Sequence, residues 1–154
     1  MTLAREVSMR IDSRLENVVL VGVALQGIAE ELGFDEGERY NLELCLVEGL
    51  TNSIRHAYKG EPGHPVTARF TVLDERLELR VLDEGAAVPE DKRVPHDPDF
   101  DPDDLASVPE GGRGTFLIHA LMDRVEYLRE GAANVLLMIK ALPAVARRPE
   151  AAGD

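Results

Sequence analysis

Apolar residues recur at helical spacing through the stretch 41–58, which reads NLELCLVEGLTNSIRHAY. At about 100° per residue, one face of this predicted helix is apolar and is expected to pack in a core. That face comprises Leu42, Leu46, Val47, Leu50, Ile54 and Ala57. Glu48, Asn52 and Arg55 fall within an arc of roughly 60° on another side. Because buried polar groups need partners, two alternatives stand: an ordinary i,i+4 pair between Glu48 and Asn52, or a functional site.

Shorter periodic segments lie on both sides of this helix. Alternating apolar and polar residues predict strands, and the 3.6-residue period predicts helices. The predicted elements are a strand over 4–11, helices over 14–32 and 36–58, strands over 66–73 and 77–81, a helix over 115–122, and strands over 125–129 and 134–141. Turns at 74–76 and at Gly131 make hairpins of the two strand pairs. The glycines and prolines of 59–65 end the central helix.

Capping residues set the expected helix starts. Ser13 is the predicted N-cap of the first helix, and Gly33 ends it. Asp35 is the predicted N-cap of the central helix, with Glu38 three residues later in the manner of a capping box. The apolar residues that this first helix carries are Leu15, Val18, Val19, Ala24, Leu25, Ile28 and Leu32.

The order β-α-α-β-β-loop-α-β-β predicts an α+β fold. Strands in hairpins favour a mixed, mainly antiparallel sheet with helices on one face, a two-layer α/β sandwich. The other sheet face is then left for a partner or a second copy of the chain. We expect one domain over 1–142 and a flexible tail over 143–154.

Composition narrows the class of protein. The 154 residues carry a formal net charge of −12, which argues against a nucleic-acid partner. The segment from Asp83 to Glu110 contains ten acidic residues but only two basic ones, Lys92 and Arg93. The segment is either a solvated acidic loop or one that needs a metal ion or a basic partner to approach phosphate. It also holds five of the nine prolines, which predicts a functional lid or a disordered segment.

The single cysteine, Cys45, excludes an internal disulfide and a cysteine-based zinc site. No apolar run approaches the roughly 20 residues that span a bilayer. The first residues lack the apolar core of a signal peptide. We therefore expect a cytoplasmic protein.

Three short motifs carry candidate chemistry: Glu48-x-x-x-Asn52, the run 83–85 (DEG) at a strand end, and the run 111–115 (GGRGT) at a helix start. Each is weak alone. In this order and spacing they resemble the nucleotide-binding signature of the GHKL (Bergerat-fold) ATPase superfamily. The stretches VEGLTNSIRHAY and GGRGTFLIHALMDRVEY further resemble the anti-sigma-factor serine/threonine kinases of the RsbW and SpoIIAB type. The likeness extends over about 13–141.

The resemblance implies a role for each matching position. Asn52 matches the Mg²⁺ ligand, since an amide oxygen suits this hard cation, and Glu48 matches the general base. Asp83 matches the residue that reads the adenine amino group of ATP. Gly85 matches a glycine that lets the backbone approach the base.

The glycine-rich run matches the phosphate-binding segment. Gly112 and Gly114 match glycines whose backbone N–H groups meet phosphates, and the helix start at Thr115 adds its positive dipole end. Arg113 and Arg55 are candidate phosphate contacts, with a solvated surface role as the alternative for each. The run 83–87 (DEGAA) lacks the second glycine of the superfamily pattern, which leaves kinase activity to be tested.

The resemblance implies an anti-sigma-type kinase that uses Mg·ATP and acts as a homodimer. It would sequester a sigma factor or equivalent regulator and phosphorylate a serine on a STAS-type antagonist. The alternative is a partner-binding module with a degenerate nucleotide site. The catalytic fragment of a histidine kinase is disfavoured, because the first histidine, His56, lies inside the nucleotide motif.

Overall fold

The computed structural model of the protein describes residues 4–87 and 113–144. The predicted loop from 88 onward, Gly111, Gly112 and the tail from 145 lie outside the described residues. The elements are β1 (Arg5–Asp12), α1 (Leu15–Glu31), α2 (Glu36–Ala57), β2 (Pro65–Val72), β3 (Arg76–Asp83), α3 (Arg113–Leu121), β4 (Arg124–Glu130) and β5 (Ala133–Ala141). Every predicted strand and helix is present, and α3 begins two residues earlier than expected.

The five strands form one sheet in the order β1-β2-β3-β5-β4. All four pairings between the described strands are antiparallel. In the pairing of β3 with β5, Asp83 lies directly opposite Asn134. The α+β fold with a mainly antiparallel sheet that the sequence predicted is therefore confirmed.

Alternate residues of the central strands join the three helices in one core. The shared cluster contains, among others, Leu46 and Leu50 of α2, Phe70 of β2, Leu79 of β3 and Met138 of β5. Because side chains alternate between the faces of a strand, these contacts place the helices on the same face of the sheet. Among the described residues, no helix is both long enough and apolar enough to span a bilayer.

The opposite sheet face carries a charged cluster. Glu78 is buried there between Arg76 (2.9 Å) and Arg80 (2.8 Å). Burial by itself raises the pKa of Glu78, but hydrogen bonds and charge from both arginines outweigh it and hold that pKa below its usual value. None of the described helices covers this face, as the element order predicted.

The predicted cap of α1 is wrong. Ser13 is buried, and its hydroxyl donates to the Glu61 carbonyl (2.6 Å) and accepts from the His64 N–H (3.1 Å). The N-cap position belongs to Arg14, whose side chain makes no capping hydrogen bond. The hydroxyl that would cap the helix instead fastens the end of β1 to the turn before β2. At α2 the prediction is confirmed, since Asp35 accepts from the Glu38 N–H (2.8 Å).

The apolar residues that indicated α1 do not all face the core. The helix buries Val18, Val21, Gly22, Leu25 and Ala29. Leu15 and Val19 are exposed, as are Leu20 and Val23. The buried face includes Gly22, where an added Cβ would lie 3.3 Å from side-chain atoms of Glu43 and Val47 on α2. The two helices therefore approach closely at this glycine.

Candidate functional site

Helix α2 presents Glu48 and Asn52 on one side, one turn apart, and both are half-buried. The start of α3 packs against this side at Gly114. A Cβ added there would collide with Glu48 Oε2 and lie 3.3 Å from Asn52 Nδ2. The carboxylate and the amide therefore meet the backbone of the glycine-rich motif, and any side chain larger than hydrogen at 114 would displace the Glu48 carboxylate.

The position of Glu48 and Asn52 beside Gly114 bears on the choice between an ordinary i,i+4 pair and a functional site. No hydrogen bond between the Glu48 and Asn52 side chains occurs in the described part of the chain, and both head groups lie at Gly114 instead. An isolated i,i+4 pair does not account for that arrangement.

Thr115 and Arg113 lie on either side of Gly114 in the first turn of α3. Thr115 is half-buried in the first turn of α3, and its hydroxyl is hydrogen-bonded to Tyr127 of β4. Burial raises the pKa of Tyr127, and the hydrogen bond from Thr115 partly offsets that rise. Arg113 is the first residue of α3, whereas Gly112 lies outside the described residues. The backbone start of α3 is thus placed beside Glu48 and Asn52.

Arg55 follows on the same helix and is exposed to solvent. It lies nearly one turn beyond Asn52, toward the carboxyl end of α2. Its guanidinium is available to an anion, and its assignment as a phosphate contact stays a prediction.

Asp83 ends β3 as a buried carboxylate, 6% exposed, with three donors. Ser53 Oγ donates to its Oδ2 (2.6 Å), while Asn134 Nδ2 (2.8 Å) and the Gly85 N–H (3.1 Å) donate to its Oδ1. A carboxylate has about four acceptor positions. The donors within the described ranges thus leave one position, on Oδ2, for a donor from elsewhere.

Gly85 fits closely against the end of α2. A Cβ there would overlap the Ala57 carbonyl and lie 2.7 Å from its carbonyl carbon. The Ala86 N–H donates to the same carbonyl (3.3 Å). Tyr58 secures the neighbouring turn, since its hydroxyl donates to the Pro65 carbonyl (2.7 Å) and accepts from the Glu84 N–H (2.8 Å). The strand end that carries Asp83 is therefore fixed to α2.

Helix α2 is thus the common support of the three motifs. Asn52 and Glu48 contact Gly114, the next residue Ser53 holds Asp83, and Ala57 receives Gly85. Ser53 and Asn134 were not predicted as site residues from the sequence. The available signal for Ser53 was a hydroxyl at a core-facing position of α2. For Asn134 it was an amide on the face of β5 that also carries Met138.

Cys45 lies nearby on α2 but is fully buried. Burial raises the pKa of its thiol to about 12, so it is protonated at neutral pH and unsuited to act as a nucleophile. Within the described ranges no three His, Cys, Asp or Glu side chains group as a metal centre.

A family model described as the histidine kinase-like ATPase domain matches residues 11–140. That span is most of the chain and includes Glu48, Asn52, Asp83 and Gly114. The chain belongs to this family. The nucleotide implied by the family name is ATP.

Curated relatives narrow the likeness within the family. The serine-protein kinase RsbW of Bacillus subtilis (strain 168) is 31% identical over 135 residues, which are 85% of this chain and 82% of the relative. The serine-protein kinase RsbW of Listeria monocytogenes (serovar 1/2a) is 32% identical over 137 residues, which are 88% of this chain and 87% of the relative. The predicted likeness to RsbW-type serine kinases is confirmed.

A solved structure supports the fold. The crystal structure of the RsbU and RsbW domains of a Mycobacterium tuberculosis protein aligns with a TM-score of 0.62 and 13% identity, over 90% of this chain and 32% of that one. At this identity the match shows a shared histidine kinase-like ATPase fold.

Proposed function

We propose that this protein is an ATP-dependent serine/threonine-protein kinase of the anti-sigma type. The observation that carries the proposal is the contact of Glu48 and Asn52 with the backbone of Gly114, on the helix that also holds Asp83 through Ser53. A glycine without room for a Cβ leaves only backbone beside the carboxylate and amide, which suits a phosphate-bearing ligand at a helix start. The family and the named relatives agree with this activity.

The residues of the chain divide the proposed reaction between them. Mg·ATP, when bound, supplies the γ-phosphoryl group. Asn52 would hold Mg²⁺ through its amide oxygen. Glu48 takes the proton from the seryl hydroxyl whose oxygen forms the new bond to phosphorus, while the bond to the ADP oxygen breaks.

The remaining candidates orient the nucleotide. Asp83 accepts a hydrogen bond from the adenine amino group at the free position of Oδ2, and Gly85 lets the backbone approach the base. The first turn of α3, with Gly114 and Thr115, faces phosphate with its N–H groups and positive dipole end. Gly112, Arg113 and Arg55 are further phosphate contacts in this proposal.

The proposed physiological role is partner switching in the cytoplasm. The protein, as a homodimer, would hold a sigma factor or equivalent regulator and phosphorylate a serine on a STAS-domain antagonist. The added charge of about −2 would weaken that antagonist's contact. Val19, Leu20 and Val23, each more than 60% exposed on α1, support that helix as a partner surface, since exposed apolar groups of this kind favour interfaces.

The first test is nucleotide binding by the full chain. Calorimetric titration with ATP is expected to show binding that strengthens with Mg²⁺ and that Asn52→Ala loses. Glu48→Gln is expected to bind ATP but to transfer phosphate at least about 100-fold more slowly to a STAS-domain protein of the same genome. Glu43→Gln is the matched control, because Glu43 contacts Gln26 of α1 rather than Gly114.

The outcomes separate the hypotheses. Equal ATP affinity and turnover in wild type and Asn52→Ala would refute the proposed site. Mg-dependent binding without phosphate transfer by the wild type would instead indicate the alternative, a partner-binding module with a degenerate site. The altered run 83–87 is the feature that gives this alternative weight.

A further inference from the structure

Asn134, the second residue of β5, is a buried amide with contacts on both of its polar atoms. Its Nδ2 donates to Asp83 Oδ1 (2.8 Å) and to the Ala86 carbonyl (2.9 Å), and lies 3.4 Å from the Gly85 carbonyl. Its Oδ1 accepts from Arg129 Nη1 of β4 (3.0 Å). Both hydrogens of the NH₂ group are therefore used.

These contacts determine the orientation of the amide. A carboxylate and two carbonyls lie on one side, all acceptors, and a guanidinium donor lies on the other. Exchanging the nitrogen and oxygen of Asn134 would set acceptor against acceptor and donor against donor, so the network fixes the assignment. The side chain has one compatible orientation.

Asn134 restrains two parts of the site together. It holds Oδ1 of Asp83 across the β3–β5 pair, while Ser53 holds Oδ2 from α2. It also fixes the backbone of Gly85 and Ala86, which follows Asp83. With Oδ1 taken by Asn134 and the Gly85 N–H, the acceptor position that the donors of the described residues leave on Asp83 is on Oδ2.

We propose that Asn134 is a positioning residue that gives the site its preference for a 6-amino purine. It does not touch the base in this proposal. By fixing the plane of the Asp83 carboxylate, it aims the free Oδ2 position at a donor, which an amino group supplies and a 6-oxo group does not. This inference rests on the proposed nucleotide site and deepens it.

The test compares ATP with inosine triphosphate, which differs at the 6-position of the purine. Asn134→Leu replaces the amide by a side chain of similar size without a donor. Affinities of the full chain for each nucleotide, with Mg²⁺, are measured by calorimetry. The expected result is a loss of about tenfold for ATP, since hydrogen bonds to ions are among the stronger ones, with less than about a twofold change for inosine triphosphate. Asn17→Leu is the matched control, because the Asn17 amide donates to the Asp12 carbonyl, in the β1–α1 connection.

The readout separates positioning from a purely structural role. Equal losses for both nucleotides, or an unchanged ratio, would overturn the proposal. If Asn134→Leu does not fold, Arg129→Met is the second variant. It removes the exposed donor that orients Asn134, and an unchanged ATP preference in this variant also overturns the proposal. If the wild-type chain binds neither nucleotide, the proposed function is refuted. If the wild type binds ATP but Asn134→Leu has the same ratio of ATP affinity to inosine triphosphate affinity, only this inference is refuted.

Discussion

Gly114→Ala is expected to remove phosphate transfer while leaving the fold nearly as stable as before. The new Cβ would collide with Glu48 Oε2 and lie 3.3 Å from Glu48 Cδ and Asn52 Nδ2. The atoms it meets are the far ends of rotatable side chains. The carboxylate can therefore move aside without displacing α2 or α3.

Two opposing effects set the stability change. Gly114 is the second residue of α3, and alanine in a helix is favoured over glycine by up to about 1 kcal/mol. Forcing Glu48 off its rotamer costs about 0.5–1.5 kcal/mol. The sum lies within about 1 kcal/mol of zero, which is about 2–4 °C in the midpoint of thermal unfolding for a chain of this size. Displacing a general base, in contrast, costs about 100-fold or more in rate.

Gly85→Ala is the informative comparison. Its Cβ would overlap the backbone of Ala57 at the end of α2, with the carbonyl carbon at 2.7 Å. Backbone cannot rotate away, so β3 and α2 must separate. Overpacking of this kind costs about 1–3 kcal/mol, and the hydrogen bond from Ala86 to Ala57 would be strained as well.

The assay pairs calorimetric unfolding with phosphate transfer under the same buffer and Mg·ATP concentration. Gly114→Ala should unfold close to the wild-type temperature and be nearly inactive, whereas Gly85→Ala should unfold several degrees lower. An active Gly114→Ala protein would refute the assignment of Glu48. A Gly114→Ala protein as destabilised as Gly85→Ala would refute the argument that only side-chain ends are displaced.

Three further predictions concern stability. Gly27→Ala should raise the free energy of unfolding in urea by about 0.5–1 kcal/mol, because Gly27 is inside α1 and nothing lies within 4 Å of its added Cβ; a lower value would contradict this. Tyr58→Phe should lower the same quantity by about 1–3 kcal/mol, since the Glu84 N–H and the Pro65 carbonyl both lose their partner. Burial lowers the pKa of His119 in the folded chain. As the pH falls below about 6.5, this histidine therefore binds a proton more readily in the unfolded chain than in the folded one, and the free energy of unfolding decreases. The thermal midpoint should therefore fall less between pH 7.5 and 5 in His119→Leu than in wild type, and equal slopes would contradict the assignment.

Local patterns were sufficient for the elements, because the signals that define them are local. The buried positions of α2 recur at helical spacing from Leu42 to Ile54, Asp35 caps the helix, and both hairpins have their turn residues between alternating segments. Helix α1 was harder to orient because apolar residues occupy most of its circumference. Gly22 lies on the face that packs against α2, and its close fit depends on that neighbouring helix rather than on the sequence around it.

Within the candidate site, residues in short local motifs were likewise predicted from the sequence, whereas residues whose role depends on another element were not. Glu48, Asn52, Asp83 and the glycines belong to short motifs and were found from the sequence, although their roles stay predictions. Ser53 and Asn134 belong to no motif, and their importance arises from a buried carboxylate that comes from a third element. A carboxylate of this kind must be surrounded by donors wherever the fold brings it. Finding those donors requires the pairing of β3 with β5 and the packing of α2 on the sheet.

The glycines indicate why α2 organises the site. Two chain segments distant in sequence approach this helix more closely than a Cβ allows, Gly85 at its end and Gly114 near its middle. Each approach places a motif next to a polar group of α2 without introducing a side chain of its own. Because the contacts are to backbone at Ala57 but to side-chain ends at Glu48, the first fixes the fold and the second leaves room for a ligand to move Glu48. The end of the site at Asp83 is therefore held against backbone, whereas the end at Glu48 is lined by side-chain atoms that can rotate.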